Sequence, residues 1–171
     1  MPRVRFHRYW LGAGAAVLIA ALAAGQPARA DALGPVISAA KQGNVASEAY
    51  LGSLYLNGQG VRQSDSEAAF WFGRAARQGD ATAQTDLGLL YQEGRGVARD
   101  DAQAAYWYRQ AAEQGNANAQ NNLGQLYQLG LGVPQDYAQA IHWYRMSGEQ
   151  GNAAARQNLM ALYAYMAKLK Q

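Results

Sequence analysis

From Asn44 onward, apolar and polar positions recur with a helical period, and the same stretch of pattern then returns. After Asp80, residues Ala83, Leu87, Leu90 and Tyr91 fall three or four apart, on one stripe of a helix. After Asp100 the stripe is Ala104, Trp107, Tyr108 and Ala111. These stripes predict two amphipathic helices, A and B, joined by the turn Gly94-Arg95-Gly96-Val97. Asn44, Asp80, Asn116 and Asn152 precede the A stripes and carry side-chain acceptors suited to capping a helix start. B helices start at Asp100 and Asp136, and in the first copy at Ser64, where Ser64 and Glu67 have capping-box spacing. Each B helix ends at a Gln-Gly pair, whose glycine can take a left-handed cap.

The repeat length is 36 residues, read from Gly43, Gly79, Gly115 and Gly151. Residues 81–116 and 117–152 match at 22 of 36 positions without a gap. Such a repeat is one supersecondary unit whose apolar face is buried only by stacking on its neighbours. The predicted organisation is a half-repeat cap at 31–44, repeats at 45–80, 81–116 and 117–152, and a capping helix at 153–171. The last copy has Met160 for the internal glycine and Met166 and Lys168 for the turn glycines, so its helix should run on to about Lys170. Eight helices are expected in all. Gly52, Gly88 and Gly124, inside A helices, are expected to let helix B lie close. The Trp and Tyr stripes are expected to fill the core between successive pairs.

The N-terminal segment has another character. Arg3, Arg5 and Arg8 precede the apolar run Leu11 to Ala24, and Ala28-Arg29-Ala30 has the small-x-small form of a cleavage site. The run is shorter than the ~20 residues of a spanning helix. Residues 1–30 are therefore expected to be a Sec-type signal peptide cut after Ala30, giving a periplasmic or secreted chain. Retention as a signal anchor is the alternative. The full chain has 15 basic and 12 acidic residues. Without Arg3, Arg5, Arg8 and Arg29 the balance is 11 to 12, net −1, so the basic character gives no reason to expect a nucleic-acid partner. Membrane insertion after cleavage is likewise not expected. With no cysteine, thiol catalysis and thiolate metal sites are excluded.

Assembled from the second and third copies, the pattern A-x-A-Q-x-x-L-G-x-L-Y-x-x-G-x-G-V-x-x-D-x-x-x-A-x-x-W-Y-x-x-A-A-x-Q-G-N resembles the Sel1-like repeat, a relative of the tetratricopeptide repeat. The resemblance covers essentially 32–171. It implies an all-α fold, a right-handed superhelical solenoid of antiparallel helix pairs. It also implies a role as adaptor or scaffold for other proteins, often in bacterial envelopes. A cysteine-rich branch of that family is linked to β-lactam binding, and a chain without cysteine does not belong to it.

Chemical motifs are sparse. Ser38 and Lys41 have the S-x-x-K spacing of penicillin-recognising enzymes, but the accompanying K-T-G and S-D-N elements are missing. His142, which stands where earlier copies have Phe70 and Tyr106, reads as a partly buried packing residue with no second histidine to complete a metal site. Asp100 and Asp101 sit where a helix start favours negative charge. The Gly-x-Gly turn lacks the Lys-Ser/Thr of a phosphate loop, and the residue between its glycines varies from Gln59 to Arg95 to Leu131. It reads as a hinge. No catalytic residue, metal or cofactor is expected.

What remains is a surface. In helix-pair solenoids the A helices line the concave groove, and their outward positions include Tyr50, Ser53 and Leu56, then Thr85, Asp86, Leu89 and Gln92. In the third copy these positions are Asn118, Asn121, Asn122, Gln125 and Gln128, and in the fourth Gln157 and Asn158. Side-chain amides both donate and accept, which suits an extended peptide with unpaired backbone groups. The expected function is non-enzymatic binding of a protein or extended peptide through this face, within the bacterial envelope. The alternatives are an assembly factor of an envelope complex, or a β-lactam- or peptidoglycan-active hydrolase. Oligomeric state is left open. Replacing Asn122 and Asn158 by Ala is expected to weaken partner capture while thermal stability barely moves.

Overall fold

The computed structural model describes residues 30–169. The signal peptide read over 1–30 lies outside these residues, apart from Ala30. Eight helices follow one another among the described residues: α1 Ala30–Lys41, α2 Val45–Asn57, α3 Asp65–Arg77, α4 Ala81–Glu93, α5 Asp101–Glu113, α6 Ala117–Leu129, α7 Tyr137–Glu149 and α8 Ala153–Lys168. Helices α2, α4 and α6 are the A helices, α3, α5 and α7 the B helices. Each packs chiefly on its neighbours in the chain, the contact pattern of an all-α solenoid. Helix α1 begins at Ala30, one residue before the expected cap.

The caps anticipated from sequence form. Asn44, Asp80, Asn116 and Asn152 accept hydrogen bonds from the backbone N–H three residues on, at 2.7–3.1 Å. Ser64 accepts from the Glu67 N–H, and Asp100 and Asp136 each accept from two N–H groups. Each such cap contributes about 1 kcal/mol. The B helices close with Schellman-type bonds, as where Asp80 N–H reaches the Ala75 carbonyl at 3.2 Å and Gly79 N–H the Ala76 carbonyl at 3.0 Å. The A–B turn is pinned across its base by N–H groups of Ser64, Asp100 and Asp136, which donate to the carbonyls of Tyr55, Tyr91 and Tyr127.

Close packing within a pair rests on the internal glycines. A Cβ on Gly88 would stand 2.7 Å from the Tyr108 ring, and one on Gly124 2.8 Å from the Tyr144 ring. Phe72 on Gly52, Tyr108 on Gly88 and Tyr144 on Gly124 are fully buried. Burial raises both tyrosine pKa values, that of Tyr144 to about 12. The tryptophans fill the gaps between pairs: Trp107 packs against the cluster of α3 and α4, and Trp143 against that of α5 and α6.

The hinge reading of the turn gains a second reason for its glycines. Gly94 and Gly96 lie at φ +69° and +70°, which favours glycine. A Cβ on Gly96 would also overlap the Asp65 carbonyl, so this turn rests directly on the first turn of the preceding B helix. Gly132 repeats the contact on Asp101. The variable residue between the glycines adds a lateral tie. Arg95 grips Asp65 with two bonds of 2.9 and 3.1 Å, whereas Leu131 packs against the apolar cluster of α5 and α6.

A recurring glutamine pair, one member buried and the other exposed, ties each repeat to the one before it, and the periodicity did not reveal it. Gln114 donates to Gln84 at 2.8 Å, and Gln84 in turn donates to the Ala76 carbonyl at 3.0 Å. Gln150, Gln120 and the Ala112 carbonyl repeat this at 2.8 and 3.1 Å. In the first repeat the place is taken by Glu48, wholly buried, which accepts from Gln78 at 2.6 Å and pairs with Arg74 at 2.8 Å.

Candidate functional site

The repeat register lays two rows of side chains along the A helices, because equivalent residues on stacked helices point the same way. One row is Tyr50, Asp86, Asn122 and Asn158, all half-buried. The other begins with Ser53, Leu89 and Gln125, also half-buried. Asn118 and Gln157 are exposed at the margin. The A helices α2 and α4 touch directly, and Asn158 donates across from α8 to Asn121 on α6 at 2.9 Å. These contacts tie α2 to α4 and α6 to α8 along the row.

Several residues expected to face outward are occupied by the fold. Asn121 is only 8% exposed, because one position of rotation along α6 turns it toward α8. It accepts from Asn158 and donates to Asn122 at 3.3 Å, so it braces the site from beneath. Thr85, at the same register, is also buried and donates to the Ala81 carbonyl at 2.7 Å. Gln92 and Gln128 are half-buried and accept from the Tyr108 and Tyr144 hydroxyls at 2.9 and 2.7 Å. Asn118 accepts from Asn152 at 3.3 Å, and the Ser53 hydroxyl donates to the Tyr50 carbonyl at 3.2 Å. Asn122 and Asn158, expected to be replaceable with little change in thermal stability, both belong to the Asn121 network.

Asp86 and Tyr50 differ from the rest. Among the described residues, Asp86 has neither a hydrogen-bond partner nor a salt bridge, and burial, aided by the nearby negative Asp80, raises its pKa to about 6. The Tyr50 hydroxyl is buried without a partner, and burial raises its pKa too. No spacing rule announces either fact.

Elsewhere the sparse motifs fall out as surface features. Ser38 and Lys41 are exposed, and the Ser38 hydroxyl accepts from Gln42 at 3.3 Å instead of engaging Lys41. His142 is exposed, with its ring edge-on to Trp143 at 5.0 Å. Phe70 and Tyr106 stand likewise on Trp71 and Trp107, so the partly buried reading of this position is corrected. The adjoining indole packs between repeats and leaves the residue before it on the outer side of helix B. Between α3 and α5 an open cleft of about 470 Å³ is lined by Arg77, Tyr106, Trp107 and Glu113. Among the described residues no group of three or more His, Asp or Glu side chains could hold a metal ion.

The Sel1 repeat family model matches residues 45–80, 81–116 and 117–152. The chain belongs to the Sel1 repeat family. Sel1 repeats build protein-interaction scaffolds, which suits an extended stacked surface. The Sel1 chain is similar, at 40% identity and TM-score 0.76, to a protective antigen of uropathogenic Escherichia coli strains that displays an SLR fold. The match covers 78% of this chain but 29% of that one, so the chain spans under a third of that protein's length. A Sel1 repeat protein from Oxalobacter formigenes matches at 40% identity and TM-score 0.69, over 75% of this chain and 97% of that one. The Helicobacter pylori cysteine-rich protein B shares the fold at 21% identity and TM-score 0.59, covering 75% and 92%. A comparison with curated proteins gave no match.

Proposed function

We propose that this Sel1 repeat protein is a non-enzymatic adaptor of the bacterial envelope that binds an extended peptide along the concave, A-helix face. The observation that carries this is the double row of Tyr50, Asp86, Asn122 and Asn158 beside Ser53, Leu89 and Gln125. It combines polar groups with apolar contact area over three stacked repeats, and bridging by Asn121 and Asn158 holds it preformed. A preformed surface reduces the ordering cost of binding. Among the described residues no helix is long and apolar enough to cross a membrane. Export rests on the N-terminal basic and apolar segment, which lies outside them.

The test is site-specific photocrosslinking in envelope extract, with the photoreactive residue at Gln125 on the A face or at Arg145 on α7. Partner crosslinks from Gln125 alone are expected. Crosslinks from Arg145 alone would favour a second reading, assembly through the B-helix side, where Phe70 and Tyr106 expose half of their ring-bearing surface. The exposed Ser38, unengaged with Lys41, gives a hydrolase reading no support.

A further inference from the structure

We infer that Asp86 is the recognition point for a lysine or arginine side chain of the bound peptide. The inference deepens the groove reading above and rests on it. Its basis is the absence of cations from the A helices of the three repeats, the basic residues of the capping helix α8 being Arg156 and Lys168. Helices α2, α4 and α6 contain no lysine or arginine, and their acidic residues are Glu48, Asp86 and Glu93. Glu48 is consumed inside the protein by Arg74 and Gln78. Glu93 lies at the end of α4 and meets Arg95 at 3.3 Å. Asp86 alone stands unpaired in the middle of the A face.

Every basic group near α4 has another engagement or another direction. Arg74 on α3 is held at Glu48, Arg95 in the turn at Asp65, and Arg109 on α5 donates to the Tyr127 hydroxyl at 2.7 Å. Arg77 lines the cleft on the B-helix side. The ionisable group that acts on Asp86 is negative, Asp80 at the start of α4. Tyr108 of α5 comes near enough to feel the Asp86 charge, and its hydroxyl donates to Gln92. Position 86 in the other repeats holds Tyr50, Asn122 and Asn158, so the stacking does not require a carboxylate there. A partly desolvated carboxylate without a partner is less favourable than one paired with a cation, and charge-assisted bonds are among the stronger polar contacts. The neighbouring Tyr50 hydroxyl, also unpartnered, lies one repeat away in the same row. The amides of Asn122 and Asn158 continue that row along the peptide.

The probe is a phage-displayed library of random decapeptides, selected at pH 7.5 on the full chain and on its Asp86→Asn and Gln125→Trp variants. The unmodified chain is expected to enrich lysine- or arginine-containing peptides that Gln125→Trp does not select. A synthetic peptide from that pool should bind Asp86→Asn about tenfold more weakly, and bind the unmodified chain more weakly at pH 5 than at pH 7.5. Peptides that need the open groove but lack basic residues, or that bind Asp86→Asn equally well, would overturn the Asp86 assignment and leave the groove reading intact. Enrichment that survives in Gln125→Trp, or that never appears with the unmodified chain, would overturn both.

Discussion

Replacing Asp86 by asparagine should strengthen the fold while removing its preference for a cation. In the folded chain this carboxyl titrates at about 6, against 3.8 for the free side chain. The native state therefore keeps a proton between about pH 4 and 6 that the unfolded chain has already released. By linkage, native stability contributed by Asp86 falls as pH rises through that window and levels off above it. Each pH unit of difference is worth about 1.4 kcal/mol, which sets an upper bound of roughly 3 kcal/mol on the cost of the ionised group. Asparagine is polar as well and recovers only part of this, so a gain of about 1 to 3 kcal/mol at pH 7.5 is expected. For a folded region of this size that is a rise in Tm of roughly 3 to 10 °C. Thermal and urea unfolding followed by circular dichroism at pH 4.5, 6 and 7.5 would measure it. The difference between variant and parent should grow with pH, which separates Asp86 from carboxylates common to both. A difference that is flat in pH, or a variant less stable at pH 7.5, would refute the reasoning.

Asn158→Ala should lower stability by about 1 to 2 kcal/mol, because it leaves the buried Asn121 carbonyl oxygen without its 2.9 Å donor; chemical denaturation would show it, and an unchanged midpoint would count against the bridging network. Gly96→Ala and Gly79→Ala both place a side chain at positive φ, yet only the first meets neighbouring backbone. Gly79→Ala should cost about 1 to 2 kcal/mol, and Gly96→Ala clearly more, with melting curves that lose cooperativity between the first two repeats. Glu48→Gln should stay within about 1 kcal/mol of the parent, since Gln84 and Gln120 fill the same place, whereas Glu48→Ala removes the buried acceptor of Arg74 and Gln78 and should cost about 1 to 3 kcal/mol. Equal midpoints for the two Glu48 variants would show that the amide chain contributes nothing there.

The 36-residue period made the helices, their caps, the Gly88 and Gly124 contacts and the core tryptophans legible, because all of these recur and each recurrence checks the others. It was weaker on the A face, for a geometric reason. An A helix is flanked by B helices on one side and by other A helices along the stack, so a single residue of rotation separates a free position from a buried one. Asn122 and Asn121 fall on the two sides of that line. Composition could not separate them, since both are asparagine. Nor could it find the Gln84–Gln114 chain, whose partners lie 30 residues apart in sequence and meet only after stacking. Asp86 shows the limit most clearly. As a residue type it is an ordinary surface acid, and its meaning comes from a missing cation, which only the packed arrangement displays. The ladder at positions 50, 86, 122 and 158 is otherwise neutral, so one charge is enough to set the register of a basic peptide along it. Moving that charge by one repeat, with Asp86→Asn and Asn122→Asp together, should shift where a bound basic residue crosslinks by one helix pair rather than abolish binding.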